Sequence, residues 1–168
     1  MTPVPVPSEP DLLGELDQAR RQLNRLGRDR LRALGVSIEA ELRAGGLGVQ
    51  RIAVTGRIYR PDPLGTAALI VPAWRGLPPS IYDGHTGAVL VDLIAFRTSD
   101  PWAWWYRRGE PFVALGEHHL QLAHWHGASI TLHRNPLEFL QADACGAFMA
   151  EWAECCLGEP AAGLEVAA

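Results

Sequence analysis

The sequence predicts an α+β fold: an antiparallel sheet of about four to five strands with helices packed on one face, plus an N-terminal amphipathic helix. Three observations predict it. Leucines at helical spacing open the chain, and β-branched or continuously apolar runs joined by short turns fill its middle. Proline-led helix starts recur after those runs. Consecutive strands joined by short turns pair antiparallel, and helices segregated from them cover one face of the sheet. With 168 residues, 48% of them apolar and 20% charged, the chain has the composition of one globular domain, large enough to bury a core without disulfide or metal staples.

The elements follow in order. Residues 1–10, with proline at alternating positions in "TPVPVP", read as a flexible tail, because proline blocks helix and favours extended, solvated chain. From Asp11, the residues Leu12, Leu16, Ala19, Leu23 and Leu26 follow a 4-3-4-3 spacing. That narrow seam packs on the domain or pairs with a second copy in a homodimer through Leu12, Leu16, Leu23 and Leu26. Gly27 is a candidate break, after which Leu31 and Leu34 resume the pattern. "VSIEAELRAGG" is a short helix with Ser37 as N-cap and Gly45 or Gly46 as its left-handed stop. "VQRIAVTGRIYR" is strand-like, "PDPLG" a turn, and "TAALIVPAW" a central strand. A hairpin is expected around Asp83–Gly87, with a return strand over Ala88–Phe96. Asp100-Pro101 reads as a capped helix start for "WAWWYRR", closed by Gly109. "VALGEHHLQLAHWHG" is a further helix and "ASITLH" a strand. Asn135-Pro136, with Glu138 placed to close a capping box, starts another helix. "CGAFMAEWAECCL" is open between strand and helix. The domain spans residues 11–157, and residues 158–168 are expected to fray.

Charge narrows the function classes. The net charge is -4 and the pI about 5.8, which excludes a whole-chain electrostatic nucleic-acid binder. Residues 1–60, however, hold ten Arg against seven Asp and Glu, so any polyanion contact favours that third, through Arg20, Arg21, Arg25 and Arg28. All fifteen basic residues are arginine, as in proteins of GC-rich bacterial genomes. The first residues lack a signal peptide's basic start and apolar run, no stretch approaches a membrane span, and the cytoplasm is the expected compartment. Cys145, Cys155 and Cys156 form no disulfide framework.

Several motifs carry possible chemistry. On a helix, Trp102 would share a face with Trp105 and Tyr106 and enter the core, leaving Trp104 and Arg108 nearer the rim. Trp104, Arg107 and Arg108 are thus the candidate partner contacts. His118, His119, His124 and His126 beside Glu117 are the only plausible metal set, but their separations of five, six and two residues miss the three-or-four spacing of helical zinc ligands, so no metal or other cofactor is expected. Asp92 lies in an apolar strand and needs partners if buried, with Arg57 or Arg97 as candidates, or else is a catalytic acid. Ser80, Asp83 and His85 lack the context of a hydrolase triad. "GGLG" at Gly45–Gly48 lacks the lysine and helix of a phosphate loop.

"DLIAF" at Asp92–Phe96, "DPWAW" at Asp100–Trp104, "RRG" at Arg107–Gly109, "ALG" at Ala114–Gly116 and "HRNPLEFL" at His133–Leu140 together resemble a group of small alphaproteobacterial proteins that often occur among prophage or plasmid genes. The resemblance covers roughly residues 31–152. It implies a mobile-element context and brings no activity or catalytic residues with it. Three readings follow: a non-enzymatic protein-binding accessory module of a mobile genetic element, a nucleic-acid-associated accessory protein linked to replication, and a metal-dependent hydrolase.

Overall fold

The structure, a computed structural model, describes residues 10–79, 87–111 and 113–150, together with the backbone of residues 165–166. It is an α+β arrangement around five strands: β1 (Gly48–Thr55), β2 (Ile58–Pro61), β3 (Thr66–Arg75), β4 (Val89–Arg97) and β5 (Asp100–Tyr106). They close into a barrel in the order β1-β2-β5-β4-β3. Four of the neighbouring pairs are antiparallel, as expected from the short connections. The fifth is parallel and joins β2 to β5 at Ile58 and Tyr106, so the sheet is mixed rather than wholly antiparallel. One parallel pair is unavoidable, because five strands closed into a ring cannot alternate direction at every neighbour.

Both faces of the central strands are covered, where the sequence led to helices on one. β3 alternates between two cores. Ala68, Ile70 and Trp74 join Leu12, Leu16 and Ala19 of α1 (Leu12–Gln22), while Leu69, Val71 and Ala73 join Leu31 of α2 (Arg25–Ala33), Ala40 of α3 (Ile38–Arg43), and Leu137, Phe139 and Leu140 of α5 (Pro136–Gln141). A fully apolar strand such as "LIVPAW" is what two-sided burial requires. α1 lies close on β1: a Cβ on Gly48 would stand 2.5 Å from the Ala19 Cβ, so glycine is what allows the helix to approach. The leucine seam is used within the chain. Leu12, Leu16 and Leu23 are buried here, which removes them from the expected dimer surface and leaves only Leu26 exposed.

The N-terminal helices break at Leu23–Asn24 and not at Gly27. Asn24 has extended backbone and accepts from the Gly27 N–H at 2.9 Å, so it is the N-cap of α2. α3 has the Ser37 cap read from the sequence and ends at Gly45 and Gly46, at φ of 78° and 98°. After β5 come β6 (Ala114–Leu115), α4 (Glu117–His126), β7 (Ile130–Thr131), α5, β8 (Phe148–Met149) and β9 (Glu165–Val166). Asn135 caps α5, but Glu138 reaches back to the Arg134 N–H rather than to that of its cap. Two residues of the segment expected to fray, Glu165 and Val166, pair antiparallel with β7. The hairpin turn around Asp83, together with Ser80, His85, Cys155 and Cys156, lies outside the described residues.

The largest correction concerns "DPWAWWY". It is β5, not a helix. Thr98 and Ser99 make a two-residue turn between paired Arg97 and Asp100, so Asp-Pro opens a strand, where proline is tolerated. A period of two through Trp104 and Tyr106, both buried, in a short run of strand-favouring aromatics fits the strand.

Candidate interaction surface

Changing the period from 3.6 to 2 exchanges the places of Trp102 and Trp104 and leaves Tyr106 in the core. Trp104 is 0% exposed. Its ring meets Phe148 edge-on, with centroids 5.1 Å apart, and Arg57 lies 5.8 Å from its centroid. Trp102, assigned to the core on the helical reading, is 45% exposed and stacks with Arg134 at 5.4 Å. Trp104 therefore offers no contact surface in this fold. Arg107 is occupied as well, donating Nε and Nη2 to the two carboxylate oxygens of Glu15 at 2.6 and 2.7 Å. This bidentate pair ties α1 to the end of β5. Arg108 Nη2 donates to the Pro10 carbonyl at 3.4 Å. All three expected partner contacts serve the scaffold.

Asp92 does so too, though not through an arginine. The register shifts between Ala73 and Trp74 at this level of the β3–β4 pair, and the chain leaving β5 turns over the buried carboxylate. Asp92 Oδ1 accepts from the N–H groups of Leu93, Arg107 and Arg108 at 2.7, 3.1 and 2.9 Å. Oδ2 accepts from Gly109 and Glu110 at 2.9 and 3.2 Å. Gly109 makes the turn at φ 78°, a conformation that favours glycine. Five amides fill the acceptor positions of both oxygens. No local sequence pattern announces this, since the donors are backbone and lie 15 to 18 residues away for all but Leu93. Close by, Tyr59 is buried and its hydroxyl has no hydrogen-bond partner among the described residues. Burial, then the Glu15 carboxylate, push its phenol well above the ordinary range.

The histidines do not converge. His118 and His119 stack with ring centroids 3.9 Å apart, His119 Nε2 lies 3.2 Å from the Ala144 carbonyl, and His124 and His126 are exposed. Among the described residues no group of three or more His, Cys, Asp or Glu side chains is placed to hold a metal ion. Burial, then His119, push His118 down to about 4.

The surface with unspent groups lies on α2. Leu26, Arg30 and Leu34 follow one another at i, i+4 and i+8 and line a groove of about 310 Å³ with Leu23, Leu31, Val49 and Leu69. Leu26 is 59% and Leu34 37% exposed. Of the four arginines singled out in the sequence, two are engaged. Arg20 bonds Asp17 and the Gly45 carbonyl, and Arg28 bonds Glu41. Arg21 and Arg25 are exposed and their side chains make no ion pair or hydrogen bond among the described residues, and the same holds for the Arg30 side chain. A second cleft of about 500 Å³, between Leu13, Leu47 and Trp74, is lined by those engaged residues Arg20, Arg28 and Glu41.

No family model matches the chain, and no curated protein or solved structure matches it. Among the described residues no helix is long and apolar enough to cross a membrane.

Proposed function

We propose that the chain is a non-enzymatic protein-docking module, acting in the cytoplasm as an accessory of a bacterial mobile genetic element. The mobile-element context rests on the sequence resemblance. The docking role rests on the α2 groove, where two exposed leucines line a hollow of mixed polar and apolar character beside arginines with no internal partner. Covering such leucines gains roughly 25 cal/mol per Å² of apolar surface. The groups that could have served catalysis have structural employment: both Asp92 oxygens are filled by amides, and Arg107 is clamped by Glu15.

The nucleic-acid reading retains one favourable observation, the free Arg21 and Arg25. It loses Arg20, Arg28 and the tryptophan helix on which it also drew. A photo-crosslinking residue at position 26, with the more exposed position 64 as control, tests the choice in the native host. The expected result is a discrete protein adduct at 26, absent at 64 and lost in Leu34→Asp. A nucleic-acid adduct at 26, or none, overturns the reading.

A further inference from the structure

Resting on that docking reading, we propose that the α2 groove receives an acidic amphipathic segment of another protein, its apolar side chains seated between Leu26 and Leu34 and its carboxylates on Arg21, Arg25 and Arg30. Three features of the surface select this occupant. First, Leu23, Leu26, Leu31, Leu34, Val49 and Leu69 supply the apolar part of a lining that also holds Gln22, Asn24 and Thr98, and no aromatic residue lines it. A nucleobase finds no stacking platform there, whereas aliphatic side chains at helical spacing fit such a groove.

Second, the one charged residue that lines the hollow is a cation, Arg30, and it is unspent. Arg21 and Arg25 adjoin the lining residues Gln22, Asn24 and Leu26 in the chain. Arg28 and Arg32, on the same helix, are consumed by Glu41. The only carboxylate on α2 is Asp29, which is exposed. Guanidinium groups recognise carboxylates through paired N–H donors and hold their charge at any physiological pH. Opposite charge on the partner supplies steering and register, while the buried leucines supply the lifetime of the complex.

Third, the two kinds of group alternate on one short helix. Leu26, Arg30 and Leu34 lie along one row, so a partner cannot engage the apolar positions without passing the cation between them. A neutral apolar segment leaves Arg30 facing its backbone, and a purely anionic one leaves the leucines in water.

The test is selection of random displayed peptides on the full chain, followed by binding of the winners to variants. Acidic winners with apolar residues at i, i+3 or i+4 spacing are expected. Their affinity should fall about tenfold or more, equivalent to about 1.4 kcal/mol, in Leu26→Asp and in Arg25→Glu/Arg30→Glu, with melting temperatures unchanged and with weakening at higher salt. Winners that need Leu26 but are neutral or basic and ignore the arginine reversal overturn this inference while leaving the docking reading intact. Failure of every winner to depend on Leu26, together with oligonucleotide binding that depends on Arg25 and Arg30, overturns both. Self-association abolished by Leu26→Asp assigns the groove to a second copy and likewise overturns the inference.

Discussion

Replacing Asp92 with Asn should destabilise the fold markedly although it changes one atom type. The carboxylate carries three N–H donors on Oδ1 and two on Oδ2. An amide in the same place keeps one acceptor oxygen. Its better orientation keeps the three donors of Leu93, Arg107 and Arg108 and points its NH2 at the Gly109 and Glu110 amides. Two donors then lose their acceptor, at roughly 1–3 kcal/mol each, or about 2–6 kcal/mol in all. Gly109 and Glu110 are exposed, so water reaches those amides and the lower half of the range is expected. Against the roughly 5–15 kcal/mol stability of a typical domain, that is a large fraction. Urea denaturation measures it as a lower midpoint at unchanged slope. A loss under about 0.5 kcal/mol would refute the reasoning, because the turn would then satisfy its amides without the carboxylate.

The strand assignment predicts unequal tryptophans. Trp104→Ala should cost roughly 3–5 kcal/mol, as large core aromatics do, and Trp102→Ala about 1 kcal/mol or less, the scale of an exposed cation–π pair; equal losses in thermal melts would contradict β5. The buried His118 predicts acid sensitivity. Its pKa falls from 6.5 to about 4 on folding, so the unfolded chain binds more protons between those values. Its contribution is complete above pH 6.5 and is lost as the pH falls toward 4. His119 is lowered in the same direction, by burial first. Melting temperature followed across that window should decline less steeply in His118→Gln, and an unchanged slope would refute the assignment.

How legible the fold was depended on whether the deciding interaction was local. The Ser37 and Asn135 caps, the Gly45–Gly46 stop and the strand character of β1, β3 and β4 are set by neighbours in sequence, and they stand as read. Asp-Pro was misleading because proline's fixed φ suits a helix start and a strand start alike. Tertiary burial of Trp104 and Tyr106 on one face decided between them. The Glu15–Arg107 clamp spans 92 residues, and the amides of Asp92 carry no side-chain signature. Only the fold brings such groups together. At the surface, the arginine run was visible, but which members remain free was not. That choice is made by Glu41, Asp17 and a carbonyl of the α3 stop.

The candidate surface arises from a break in a regular pattern. Leu12, Leu16, Ala19, Leu23 and Leu26 continue one row, and on an unbroken helix Leu26 would follow Leu23 into the core. Asn24 interrupts the row. Its side chain takes the Gly27 amide and its extended backbone starts α2 in a new direction. A Cβ at Gly27 would come within 2.9 Å of Leu23 Cδ1, the end of a buried side chain. Leu23 stays buried while Leu26 turns outward, with Arg25 and Arg30 beside it. One apolar repeat is thus divided into an anchor, Leu12 to Leu23, and an exposed remainder. The anchor is reinforced by the Glu15–Arg107 clamp. For the proposed docking, the groove is already shaped within the single chain by Leu23, Leu26, Leu31 and Leu34.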